Sequence, residues 1–168
     1  MKYALVFIFL FLFIIPMQAN EWIKIRNLYE QAAINEDAQL KLNMLLLSKV
    51  ENPVLNGYKG ANLMISAKYI FNPIKKLSRF NKGKVQMERA IESEPKNLEL
   101  RYLRFTIQTN LPNFLGYSGN IIKDKEFLVS RLAAVTDVDL RNRIVAYLIS
   151  SKRCSDSELK EVMVWKNK

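Results

Sequence analysis

Residues 52–111, NPVLNGYKGANLMISAKYIFNPIKKLSRFNKGKVQMERAIESEPKNLELRYLRFTIQTNL, decide the fold class. Asn52-Pro53 and Asn72-Pro73 each set a capping side chain before a proline at the first helical position, where the missing N–H costs nothing. After Pro53 the apolar residues Val54, Tyr58, Ala61 and Ile65 recur at helical spacing. After Pro73 the same holds for Ile74, Leu77, Phe80, Met87 and Ile91. Glu94-Pro95-Lys96-Asn97 is a turn, and Asn97 caps a third run that continues to Leu111.

The reading extends outward in both directions. Upstream, Glu21–Ile34 places Ile23, Leu28 and Ala32 near one face. Asn35 caps a run through Leu40, Met44, Leu47 and Val50, with Glu36 and Asp37 in its first turn, where the helix dipole favours acids. Downstream, residues 112–119 form the longest irregular stretch. Three amphipathic runs follow it: Ile121–Val135, Val138–Ser151 after Asp137, and Ser157–Trp165 after Ser155. No alternation of strand period is sustained anywhere. The expectation is an all-α chain of about eight helices in antiparallel pairs, arranged as a helical repeat or a compact bundle.

Residues 1–19 read as a secretory signal. Lys2 precedes twelve apolar residues, Ala4–Ile15, which Pro16 ends, and Ala19 offers a small residue for cleavage. The run is shorter than the ~20 residues a membrane-spanning helix needs. Residues 20–168 are then expected to be a single helical domain, exported to the periplasm or secreted, with an uncleaved N-terminal anchor as the alternative. The many lysines and asparagines suit an AT-rich bacterial genome.

Composition excludes whole classes of chemistry. With no histidine among 168 residues there is no Ser-His-Asp triad, no Cys-His pair and no HExxH zinc site. Cys154 is the sole cysteine, so no intrachain disulfide forms, and the expected state is a packed thiol. The five glycines build no phosphate cradle. No cofactor and no metal are expected.

Residues 83–97, GKVQMERAIESEPKN, resemble the second half of a tetratricopeptide repeat: Gly83, Met87, Ala90 and Pro95 fall on that family's small, large, alanine and proline offsets. The resemblance covers about one repeat half. It implies a helical-repeat scaffold of the kind used for binding, and it implies no catalytic residue. Over its length the chain is also similar to small exported helical proteins of Bacteroidota.

Three constellations carry the candidate functions. First, the 36 residues between Glu51 and Glu88 hold no acid and seven bases, among them Lys75, Lys76, Arg79 and Lys82 beside Phe80. Export argues against nucleic acid, leaving an envelope protein, an anionic ligand or a lipid headgroup at a peripheral membrane contact. The plain alternative is a solvated basic face. Second, Arg101, Arg104 and Gln108 line up between two apolar sides of one helix, Leu100, Leu103 and Ile107 on one side and Leu98, Tyr102 and Phe105 on the other. A helix apolar on two sides is central. Its polar stripe then lines a groove that receives carboxylate or phosphate, or pairs with Glu88, Glu92 or Glu99 in an internal ion network. Third, Gly116 and Gly119 suggest positive φ in a loop where Phe114 and Tyr117 could rim a pocket, and Gly60 suggests a close helix approach.

The functional expectation is a non-catalytic exported binding or adaptor module of the bacterial envelope. A carrier of a lipid or amphipathic small molecule is the alternative, and a hydrolase of glycans using paired acids such as Glu88 and Glu92 is a weaker one. If Arg104 lines the groove, Arg104→Ala weakens binding more than Lys82→Ala.

Overall fold

The computed structural model describes residues 20–166; the segment read as a signal lies outside them. Eight α-helices and no strand occur among the described residues. We label them α1 (residues 20–32), α2 (Glu36–Leu47), α3 (Pro53–Ser66), α4 (Pro73–Ser93), α5 (Leu98–Thr109), α6 (Ile121–Arg131), α7 (Val138–Ser150) and α8 (Asp156–Met163). The all-α expectation holds.

The starts follow from the caps. The side chains of Asn35, Asn52, Asn72, Asn97 and Asp137 accept hydrogen bonds from the backbone N–H three residues on, at 2.8–3.2 Å. Each satisfies one of the donors that a helix N-terminus leaves without an intrahelical partner. Ser155 and Glu158 form a reciprocal capping box at the start of α8.

The chain divides into two compact units, residues up to 49 and residues from 50 onward. In the first, α1 buries Ile25, Tyr29 and Ala32, and Glu21 pairs with Lys49. Helix α2 buries Ala38, Gln39, Leu42 and Leu46, not the expected stripe: Leu40, Met44 and Leu47 are exposed. With apolar residues on more than one face, α2 offers two stripes of equal spacing, and periodicity alone does not choose between them.

In the second unit α3 packs most extensively on α4. Their backbones nearly touch: a Cβ built on Gly83 would lie 2.5 Å from the Gly60 carbonyl oxygen and 2.8 Å from the Met64 nitrogen. Only glycine permits that approach. Gly83, Met87 and Ala90 are all buried, and Pro95 follows the end of α4.

Helix α5 is enclosed on nearly every side, as a helix apolar on two faces should be. One side, Leu100 and Leu103, meets Gly57 of α3. The opposite side, Tyr102 and Phe105, joins a core with Leu128, Leu132, Ile144 and Leu148. Tyr147 packs edge-on against both aromatic rings, at centroid distances of 6.0 and 5.7 Å.

Candidate functional site

The polar stripe of α5 becomes an ion network. Arg104 is 4% exposed and grips the fully enclosed Asp124 of α6 with a two-pronged fork, Nε to Oδ2 at 2.7 Å and Nη2 to Oδ1 at 2.8 Å. Its remaining nitrogen, Nη1, donates to Glu88 Oε2 of α4 at 2.6 Å. Arg101 donates from Nη1 to Asp124 Oδ1 at 2.6 Å and from Nε to the Pro95 carbonyl at 3.1 Å. Tyr117 closes the ring, its hydroxyl donating to Glu88 Oε1 at 2.5 Å.

Two cations and two anions therefore balance inside the unit. Burial opposes the charge on Arg104, but the Asp124 and Glu88 carboxylates outweigh it and raise its pKa above the ordinary value. Burial and the Glu88 carboxylate push the Tyr117 hydroxyl well above the usual phenol range, so it remains a donor. Tyr117 is itself held by an edge-on Phe80 and by the Lys84 ammonium 5.1 Å from its ring centre. A network so complete ties α4, α5, α6 and the 112–120 loop into one piece.

The two alternatives left open for Arg101 and Arg104 are thus decided by geometry in favour of internal pairing. Of the three expected carboxylates, Glu88 does pair, Glu99 accepts instead from the Tyr58 hydroxyl at 2.7 Å, and Glu92 is exposed. Glu88 and Glu92 do not form a pair of free acids, since Arg104 and Tyr117 occupy both Glu88 oxygens.

Asp124 was missed by sequence reasoning, although a signal for it exists. It stands four residues before Leu128 and eight before Leu132, so it occupies the buried stripe of its own helix. An acid on a core stripe requires a cation partner.

Gln108 completes the stripe one turn further along α5. It is 2% exposed, and neither its amide nitrogen nor its amide oxygen has a hydrogen-bond partner. In the loop, Gly116 has φ of +61°, as expected, whereas Gly119 does not adopt positive φ. Phe114 faces solvent and Tyr117 is buried, so the two do not rim a common pocket.

Lys75, Lys76 and Arg79 lie elsewhere, on the first two turns of α4, where every residue from Phe71 to Arg79 is exposed. None of the three makes an ion pair among the described residues. Past that end, an open groove of about 1000 Å³ runs between the start of α3 and the outer face of α4. Asn52, Asn56, Asn81, Lys82, Gln86 and Arg89 supply most of its polar wall, and Val85 an apolar patch. Lys82 and Arg89 are exposed and have no carboxylate partner among the described residues, whereas Glu51 at the rim pairs with Lys59.

Among the described residues no cluster of three or more acidic, histidine or cysteine side chains is placed to hold a metal ion. No helix there is long and apolar enough to cross a membrane. No family model, curated protein or solved structure matches the chain.

Proposed function

We propose that this chain is a non-catalytic helical binding module, exported and working in the bacterial envelope, whose α3–α4 groove holds a segment of an acidic partner protein or an anionic ligand. The observation that carries the reading is the groove itself, with Lys82 and Arg89 unpaired among the described residues beside the amide side chains of Asn52, Asn56, Asn81 and Gln86. Amides and cations together receive carboxylates and backbone carbonyls through charge-assisted hydrogen bonds. The tetratricopeptide-like residues Gly83, Met87 and Ala90 lie on the buried side of the same helix, so the α3–α4 pair presents its outer face as a repeat scaffold does. A groove open to solvent suits a polypeptide or polar ligand better than an acyl chain, which needs an enclosed apolar cavity. The apolar run Ala4–Ile15 supports export.

The test is capture from detergent-solubilised envelopes with the tagged chain, at low and at high salt, beside the variant Lys82→Glu/Arg89→Glu. One polypeptide retained at high salt by the parent and lost by the variant is the expected result. Equal capture by both removes the groove from the argument, and recovery of lipid alone moves the function to a carrier.

A further inference from the structure

The exposed end of α4 presents a second surface, distinct from the groove. Phe71 is 101% exposed, Ile74 80% and Leu77 50%. Three large apolar side chains spaced three apart are therefore left in water at one end of one helix. A residue before an N-cap normally packs its apolar side chain on the fourth helical residue. For Phe71 that residue is Lys76, so the usual apolar partner is missing. Lys75, Lys76 and Arg79 occupy the other side of the same two turns, since positions 75, 76 and 79 point away from 74 and 77 at 100° per residue. No acid occurs from residue 52 to residue 87 to neutralise them.

An apolar edge beside a cluster of unpaired cations is the pattern of an element that lies in a membrane interface. Phe71 and Ile74 stand free in solvent beside the cations, the arrangement in which apolar side chains enter a bilayer while basic ones meet its phosphates. We propose that this end of α4 docks on an anionic lipid bilayer. Phe71, Ile74 and Leu77 enter the boundary between headgroups and acyl chains, and Lys75, Lys76 and Arg79 meet the phosphates. This contact needs neither the groove nor its partner. It holds the groove at a membrane surface.

The test uses the full chain with Cys154→Ser and a single environment-sensitive fluorophore on Ile74→Cys. A label at this position reports local insertion even where residues 1–19 tether the chain to a vesicle. The comparison label sits on Phe114→Cys, an exposed apolar position with no cluster of cations beside it. Addition of phosphatidylglycerol vesicles should shift emission to the blue at 74 and leave 114 unchanged. Each cation near such a surface is worth about fivefold in partitioning, so Lys75→Gln/Lys76→Gln/Arg79→Gln should weaken the response about a hundredfold. All three side chains are exposed, and unchanged circular dichroism will confirm that the variant folds. The proposal is overturned by unchanged emission at 74, by an equal response to neutral phosphatidylcholine vesicles, or by a response indifferent to the three glutamines.

Discussion

Replacing Arg104 with methionine keeps the length of the side chain and removes its charge. Asp124, which has no exposure at all, then loses two of the three hydrogen bonds it accepts, keeping the one from Arg101. Glu88 loses its guanidinium partner and keeps Tyr117. Removing one member of a buried ion pair costs about 3–5 kcal/mol, because the other charge stays buried without compensation. Urea unfolding slopes for chains of this size are about 2 kcal/mol per molar, so the midpoint should fall by about 2 M. Circular dichroism at 222 nm across a urea series reads that shift directly. The double variant Arg104→Met/Asp124→Leu removes both charges. Its cost should undercut the summed single costs by about 1–3 kcal/mol. Loss of partner binding in Arg104→Ala then follows from destabilisation of the α4–α5–α6 network and not from a lost ligand contact, in contrast to Lys82→Ala, which leaves the fold intact. A midpoint shift under about 0.5 M in Arg104→Met would refute the network as a structural tie.

Other substitutions read other parts of the molecule. Gly83→Ala should destabilise by about 1–3 kcal/mol, although alanine alone favours a helix by about 1 kcal/mol, because the new methyl meets backbone on α3; a gain in urea midpoint would show that the helices do not cross so closely. Gln108→Met should leave stability unchanged or raise it, since the buried amide has no partner to lose; a loss of more than about 1 kcal/mol would place a bond there. Hydrogen bonding from Lys125 lowers the Glu158 pKa, so this carboxylate adds stability above its unfolded pKa of about 4.3, and that stability is lost as pH falls through the lower folded value. Melting temperature against pH should therefore fall less steeply on the acid side in Glu158→Gln, and an identical slope would dismiss the linkage. Burial, then the Glu158 charge, raises the Cys154 pKa, so alkylation at neutral pH should be slower in the folded chain than in urea; equal rates would contradict the packing.

The helix starts were legible because they depend on neighbours in sequence. Asn52-Pro53 and Asn72-Pro73 carry the capping acceptor and the fixed φ within two residues, and no tertiary contact is needed to read them. The central place of α5 was legible for the same kind of reason, since apolar residues on two sides of one helix require cover on both. Which carboxylate meets Arg104 was not, because Asp124 is twenty residues away across a loop and its choice depends on how α6 lies against α5. The exposed stripes of α2 and of the start of α4 show the converse limit. Periodicity marks a face as apolar, but burial also requires a surface opposite, and a sequence does not say where that surface ends.

The net charge of +10 gives little guide to what this protein attracts. Fields from exposed charges decay over about 8 Å at physiological ionic strength, so a partner meets local clusters and not the sum. Inside, two arginines are cancelled by Glu88 and Asp124. Outside, Lys125 and Arg143 are held by Glu158 and Asp139. In the acid-free stretch from residue 52 to residue 87, Lys59 is held by Glu51, while Lys75, Lys76, Arg79 and Lys82 make no ion pair among the described residues. These four lie on α4, Lys75, Lys76 and Arg79 at one end and Lys82 further along, and the exposed Arg89 follows on the same helix just past Glu88. Salt sensitivity of any interaction should therefore be set by these five side chains, and neutralising lysines elsewhere, such as Lys152 or Lys160, should leave it unchanged. A salt dependence that instead scaled with the total number of cations removed would return the whole basic surface to the role of solubilising charge.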